Sequence, residues 1–391
     1  MTDLLLAYDF PPIGGGIARW MAEIARRYPT GGLVVSTGSL PDAADRQFPN
    51  PVDRIAIPSG RLRTVPGLWA WRRRVRSLVA THAVEFVWCG NLRPAGYVAA
   101  RTRQRDGIPY GVLLHGGDLL QLRAKFARSA LKRHSARALL ANASVLVANS
   151  GWTAELVGEV MTTLALDPTD RVRVVPLGSD PAVFRPGLDS ETARARHQIE
   201  PGRVRLLTVA RLVPHKGIDV GIAAVAALRD RIPGLTYLVV GRGPDRSRLE
   251  ALARSLGVGP MVQFAAGVSD ADLPAVYGTA DLYLGLSRAD GLEVEGFGIA
   301  LADAAASGLA VVAGRSGGTG AAVLDGETGI LVDARDPGAV AGAVAAILGD
   351  STRRHQLGEA GRRWVERDRN WDRVVRDLQA ISRSVVTAGP R

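Results

Sequence analysis

Short apolar runs alternate with longer amphipathic ones along the whole chain, in two successive series, and this alternation narrows the fold more than any other feature. The first series holds apolar runs at DLLLAY (3–8), GLVVST (32–37), VDRIAI (52–57), VEFVWC (84–89), YGVLLH (110–115), SVLVAN (144–149) and RVRVVP (171–176). Helical runs at 17–28, 66–80, 94–105 and 152–163 fall between them. The second series opens with VRLLTVA (204–210), LTYLVVG (235–241), VQFAAG (262–267), DLYLGL (281–286) and LAVVAG (309–314), again with helical runs between. Repeated strand–helix units build parallel sheets covered on both faces. Two series therefore predict an α/β protein of two doubly wound domains, and 391 residues is too long for one ordinary core. The Pro- and Gly-rich PLGSDPAVFRPG (176–187) reads as the connection between them. NWDRVVRDLQAISRSV (370–385) reads as one amphipathic helix that follows the second series and crosses back to the first domain. The expected division is 1–185, 186–369 and a returning helix within 370–391.

Composition removes several classes. With 47% hydrophobic and 22% charged residues the chain is globular rather than disordered. No apolar run approaches the roughly 20 residues of a membrane span. MTDLLLAYDFPP lacks a basic leader and reads as a first strand, so no signal peptide is expected. Cys89 is the single cysteine, which excludes an intrachain disulfide framework and a cysteine-based zinc cluster. The net charge of +11 is uneven: residues 1–185 hold 24 Lys and Arg against 14 Asp and Glu, the remainder 25 against 24. RLRTVPGLWAWRRRVRSL (61–78) and QLRAKFARSALKRHSAR (121–137) carry much of the excess, and each can be drawn as a helix with an apolar and a basic side. Such helices suit an anionic partner, a lipid surface or a phosphorylated acceptor, and equally a plain solvated face. Nucleic acid is not expected, because the basic runs lack interleaved aromatics. The expected location is cytoplasmic, with peripheral association at the inner membrane face.

In parallel sheets ligands bind beyond the carboxyl ends of the strands. Four post-strand segments carry candidate chemistry. AYDFPPIGGGIARW (7–20) leads Gly14, Gly15 and Gly16 straight into a helix, offering close backbone approach and free N–H groups to an anion. Its spacing is not the G-x-G-x-x-G of dinucleotide sites. LLHGGDL (113–119) ends a strand on His115, placed to bond a sugar hydroxyl or to do no chemistry at all. VARLVPHKGID (209–219) puts Arg211 and Lys216 around a turn, where two cations can clamp a diphosphate and favour its departure. VEGFGIALADAAASG (294–308) places Glu295 before the turn Gly296, Phe297, Gly298 and a short helix that carries Asp303. One carboxylate can accept from two vicinal hydroxyls, so Glu295 suits a sugar and Asp303 a ribose. The bland alternative is a satisfied acid beside a tight turn. Backbone near Gly241, Gly243, Gly267 and Val268 is the expected base pocket.

Taken together, DFPPIGGGI (9–17), FVWCGNLRPAG (86–96), HGGDL (115–119), ARLVPHKG (210–217), VVGRGP (239–244), EVEGFGIALADAAASG (293–308), GRSGG (314–318) and DGETGILVD (325–333) resemble the retaining family-4 glycosyltransferases of the GT-B fold. Within that family the chain looks most like the GDP-mannose-dependent phosphatidylinositol mannosyltransferase branch. The resemblance implies two Rossmann-like domains facing a cleft. It implies Arg211 and Lys216 on the diphosphate, Glu295 on the transferred sugar, and Gly296, Phe297 and Gly298 approaching sugar and phosphate. Asp303 falls where the family's ribose-binding Glu is usual, His115 near the donor sugar, and Gly15 and Gly16 under the diphosphate. Glu295, His115, Arg211 and Lys216 are thus the implied catalytic set. No metal and no resident cofactor are implied, only a GDP- or UDP-linked sugar as co-substrate. Two positions depart from the pattern: Asp303 is one methylene short of Glu, and Ala321 stands where an acid is common.

The expected activity is transfer of a hexose, first of all mannose from GDP-mannose, to a lipid-linked or membrane-associated acceptor. A UDP-sugar transferase making a polysaccharide or small glycoside is the alternative. A non-catalytic glycan- or nucleotide-binding module and an NAD(P)-dependent oxidoreductase are the more distant ones.

Overall fold

The computed structural model describes residues 1–126, 128–188, 191–199 and 204–389. The chain forms two compact units, one of Met1–Leu177 with Trp371–Arg391, the other of Gly178–Asn370.

Unit 1 is built on seven parallel strands: β1 (Thr2–Leu6), β2 (Leu33–Ser39), β3 (Val52–Pro58), β4 (Val84–Cys89), β5 (Tyr110–Leu114), β6 (Val145–Ala148) and β7 (Val172–Val174). Their order is β3-β2-β1-β4-β5-β6-β7. The interior strand β1 pairs Leu4 with Val34 on one side and Val87 on the other. Its Leu4, Leu5 and Leu6 are wholly buried, as a strand covered on both faces requires. The edge strand β7 is VRV with Val174 exposed. Six helices connect these strands: α1 (Gly16–Arg27), α2 (Val65–His82), α3 (Ala95–Asp106), α4 (Gly117–Phe126), α5 (Ala130–Asn142) and α6 (Gly151–Thr163).

Unit 2 has six parallel strands: β8 (Arg205–Val209), β9 (Thr236–Val240), β10 (Val262–Ala265), β11 (Leu282–Gly285), β12 (Ala310–Gly314) and β13 (Ile330–Val332), ordered β10-β9-β8-β11-β12-β13. Its helices are α7 (Glu191–Arg196), α8 (Ile218–Leu228), α9 (Arg246–Ser255), α10 (Leu273–Tyr277), α11 (Ile299–Ala306), α12 (Pro337–Gly349) and α13 (Ser351–Asp368). Its core gathers β-branched and leucine side chains of the sheet with the buried faces of α8 and α12. The chain then returns to unit 1 as α14 (Trp371–Thr387), which buries Trp371, Val374, Val375 and Leu378 and ties Asp372 to Arg27 of α1 at 3.2 Å.

Three details differ from the sequence reading. The basic stretch 121–137 is not one helix: α4 ends at Phe126, and Ser129 starts α5 by capping the Lys132 amide. β13 was absent from the expected strands, because three residues inside a Gly-rich turn show no periodicity. The units divide at Leu177/Gly178 and Asn370/Trp371, against 185/186 and 369/370 expected. Residues 178–185 belong with unit 2 because Ser179 N donates to Arg369 O at 2.8 Å and Arg362 Nη1 donates to Phe184 O at 2.7 Å. Cys89 is buried on β4, and burial pushes its thiol pKa well up.

Candidate active site

In unit 2 the chain runs from β8 outward through β9 and β10, then returns to the far side of β8 for β11, β12 and β13. The connections after β8 and β11 leave in opposite directions, which opens a crevice at the carboxyl ends of these two strands. Lys216 and Glu295 meet there. Lys216 closes a 3₁₀ turn, Pro214–Lys216, and Gly217 follows at φ 65°. A Cβ on Gly217 would collide with the Leu286 carbonyl, so only glycine lets the post-β8 turn lie against the post-β11 segment. Arg288 N donates to His215 O at 2.8 Å and joins the two segments again. Burial, then the neighbouring Lys216 charge, lowers the His215 pKa and favours the neutral ring.

Across the crevice the Lys216 ammonium pairs with the Glu295 carboxylate, and Ser287 Oγ donates to Glu295 Oε2 at 3.1 Å. The two charged side chains are only 16% and 19% exposed. Burial alone would raise the Glu295 pKa, but the Lys216 charge and the bonds from Lys216 and Ser287 outweigh it and hold the carboxyl below its usual range. Glu295 is therefore ionised at neutral pH. Its backbone is also held: Gly318 N donates to Glu295 O at 2.8 Å, and Gly317 at φ 55° has no room for a Cβ above the same carbonyl. Gly296 and Phe297 are buried, and Gly298 at φ 96° starts α11 without a side-chain cap. Arg211 stands exposed beyond β8 and makes no ion pair among the described residues.

On the other flank, Gly241 and Gly243 follow β9. A Cβ on either would strike the carbonyl oxygens of Ala210 and Leu212, so both glycines seat this loop against the post-β8 segment. Arg242 between them is exposed, and a Cβ on Gly267 (φ 85°) would come within 2.9 Å of its Nη2. Val268 is half-buried beside it. Arg242 was missed in the sequence, although a cation between two post-strand glycines was the available signal. Asp303, expected on a ribose, is 1% exposed, and Ser179 Oγ donates to its Oδ1 at 2.6 Å, so one of its carboxylate oxygens is engaged inside unit 2. Ala321 ends the turn Gly317–Ala321, and its carbonyl accepts from Arg369 Nε at 2.9 Å.

Unit 1 has its own switch point between β1 and β4. Gly15 at φ 114° precedes α1, Gly16 begins it, and a Cβ on Gly14 or Gly15 would meet nothing within 4 Å. His115, after β5, is fixed by an edge-on contact with Trp20 (5.0 Å, 85°) and by Nε2 at 2.7 Å from Gly90 O. A carbonyl only accepts, so Nε2 carries a proton. Asp9, after β1, lies in the same group. Burial raises its pKa, while Arg63, His115 and an Asn91 Nδ2 donor at 3.4 Å pull it down. Asn91 is buried, and its Oδ1 has no hydrogen-bond partner among the described residues. Arg63 sits over the Tyr8 ring at 4.1 Å. Asp9, Asn91 and Arg63 went unassigned in the sequence: Asp9 and Asn91 are single polar residues without a spacing signal, and Arg63 is one of several arginines in the basic run 61–78. Among the described residues no group of three or more His, Cys, Asp or Glu gathers around a point where a metal ion would bind.

Comparison with known proteins follows the same division. The family model "Glycosyltransferase Family 4" matches residues 14–183, and "Glycosyl transferases group 1" matches 189–364. The GDP-mannose-dependent alpha-(1-6)-phosphatidylinositol monomannoside mannosyltransferase of Mycobacterium tuberculosis is 32% identical over 384 residues, 96% of each chain. The D-inositol 3-phosphate glycosyltransferase of Acidothermus cellulolyticus is also 32% identical, over 95% of this chain and 86% of its own. Among solved structures, the sucrose-phosphate synthase of Thermosynechococcus elongatus superposes with a TM-score of 0.79 at 22% identity, covering 99% of this chain and all of that one. Two parallel doubly wound sheets, both family models and full-length relatives place the chain among the family-4 glycosyltransferases of the GT-B fold, enzymes that transfer hexosyl groups, and relate it to the phosphatidylinositol mannosyltransferase branch.

Proposed function

We propose that this glycosyltransferase moves mannose from GDP-mannose, with retention of configuration and without a metal ion, to a lipid-linked acceptor. The observation that carries the reading is the Lys216–Glu295 pair at the switch point of unit 2, with Arg211 on the same strand end. A nucleoside diphosphate gains negative charge as its bond to the sugar breaks. An ammonium with three donors can keep one bond to Glu295 and turn the others to that leaving group. Arg211 adds a second, bidentate cation. Glu295, ionised and aimed by Lys216 and Ser287, accepts from sugar hydroxyls. The base lies along the loops of Gly241, Gly243, Gly267 and Val268. Gly296, Phe297 and Gly298 bring backbone donors to the sugar and phosphate. In unit 1, Gly15, Gly16 and His115, with Asp9, Asn91 and Arg63, are the groups offered to a ligand at that unit's own switch point.

The choice of mannose and a lipid rests on the mannosyltransferase relative, which matches over 96% of both chains. The surface of unit 1 supports it. Val65 and Trp69 of α2 are 82% and 63% exposed, and Arg72, Arg73 and Arg76 line the following turns in the open. An exposed aromatic flanked by cations suits an anionic membrane surface. No helix among the described residues is long and apolar enough to cross a membrane. The match to an inositol phosphate glycosyltransferase favours a second reading, in which the acceptor is a free phosphorylated polyol.

The test is a matrix of donors and acceptors: GDP-mannose, UDP-glucose and UDP-N-acetylglucosamine against phosphatidylinositol vesicles and inositol phosphate. Mannose transfer from the GDP donor to vesicles is expected. Transfer only to the free phosphate would favour the second reading, and turnover of no donor would refute the activity.

A further inference from the structure

Asp303 occupies the position from which a longer acid would reach a ribose, yet its side chain is buried and one carboxylate oxygen is held from within unit 2. It is 1% exposed on the second turn of α11, and Ser179, wholly buried, donates Oγ to its Oδ1 at 2.6 Å. Ser179 is itself pinned, its N–H donating to Arg369 O at 2.8 Å. A Cβ on the preceding Gly178 would stand 2.5 Å from the same Arg369 carbonyl, so the segment has no slack on that side.

The helix that Asp303 belongs to is held at its other points as well. Arg362 Nη1 donates to Ala306 O at 2.7 Å and so caps the carboxyl end of α11. Tyr277 Oη donates to Ala300 O at 3.3 Å near its start, and Tyr277 stacks on Tyr283 at 5.7 Å. Burial first, and then the neighbouring Asp303 charge, raises the pKa of Tyr283. The amino end of α11 is Gly298, three residues beyond Glu295. The Asp303–Ser179 bond is thus one of the restraints that connect through α11 to Gly298 and the Glu295 turn.

We propose that Asp303 is a positioning residue of the donor site, acting through Ser179 and α11 on the 295–298 turn, and that the ribose diol of the donor is not read by a carboxylate from α11. The proposal rests on the reading of unit 2 as the nucleotide-sugar site. It makes this chain indifferent, at position 303, to the presence of the ribose 2′-hydroxyl.

The test compares wild type with Asp303→Asn, Asp303→Ala, Ser179→Ala and the double alanine variant, at a temperature where melting curves show all of them folded. Affinities for GDP, 2′-deoxy-GDP and UDP are measured by calorimetry, with kcat and KM for transfer. The Asn side chain keeps an oxygen that accepts from Ser179, so Asp303→Asn is expected to stay within about twofold of wild type. Asp303→Ala and Ser179→Ala should each weaken both nucleotides by about tenfold, the factor for losing a bond of about 1.4 kcal/mol. Their effects should not add, because both break the same bond. A merely structural role would lower the melting temperature and leave affinity in the folded variants unchanged, and that result overturns the proposal. So does a selective loss, in which Asp303→Asn or Asp303→Ala weakens GDP tenfold and leaves 2′-deoxy-GDP unaltered. A wild-type chain that bound neither GDP nor UDP would instead sink the donor-site reading itself, and the role of Asp303 with it.

Discussion

Replacing Glu295 by Gln should change ligand affinity and turnover in opposite directions. In the structure the Glu295 carboxylate neutralises Lys216, with both side chains less than one-fifth exposed. A nucleoside diphosphate without a sugar arrives as an anion in competition with that carboxylate. At an effective dielectric of about 20, a like charge about 6 Å away costs roughly 3 kcal/mol. Gln removes the charge, keeps the shape, and still accepts from Ser287 and Lys216. GDP alone should therefore bind about 10- to 100-fold more tightly to Glu295→Gln, allowing for screening of part of that repulsion. Transfer should suffer, because a charged acceptor to the sugar hydroxyls becomes a neutral one. A charge-assisted bond is worth about 1.5–3 kcal/mol, so kcat/KM should fall by roughly 10- to 150-fold. Calorimetric titration with GDP and initial rates with GDP-mannose, on one preparation, give both numbers. Weaker GDP binding, or an undiminished kcat/KM, would refute the idea that Glu295 opposes the diphosphate and holds the sugar.

Other positions give independent checks. Lys216→Ala should weaken GDP by about 10- to 150-fold on the same charge-assisted scale, read by titration. His115→Ala should slow transfer by about 2- to 12-fold, the loss of one hydrogen bond of about 0.5–1.5 kcal/mol, while GDP binds as before, since the imidazole is assigned to the sugar. Gly217→Ala puts a side chain at φ 65° against the Leu286 carbonyl. A loss of about 2 kcal/mol or more in denaturant unfolding is expected, and a neutral result would contradict the packed turn. Asp3 in unit 1 has its pKa raised by burial above the ordinary 3.8, despite donors from Tyr28, Ser382 and Trp88. The folded state thus holds this proton more tightly than the unfolded one. Stability falls as pH rises from about 3.8 through the raised pKa. Asp3→Asn abolishes that slope, so the stability of the variant relative to wild type should grow across this interval in urea titrations. A difference that stays flat with pH would show that Asp3 does not titrate there.

The units were legible in the sequence because their strands are short apolar runs in a parallel sheet, where burial on both faces leaves no alternation to blur the signal. The Gly14–Gly16 segment, Arg211, Lys216 and Glu295 were legible for a related reason: they follow strands, and Gly beside a charge is a local pattern. Tertiary structure decided the rest. That Lys216 and Glu295 meet follows from the strand order, which sets β8 beside β11 across 79 residues of sequence. That Asp9, Asn91 and His115 share a group follows from β1, β4 and β5 lying side by side. Asp303 shows the limit most plainly. Its spacing from Glu295 marks a second acid on the donor side, but which way its carboxylate points depends on Ser179, 124 residues earlier. Local sequence sets which groups are offered at the end of a strand, whereas long-range pairing sets which neighbour each one finds.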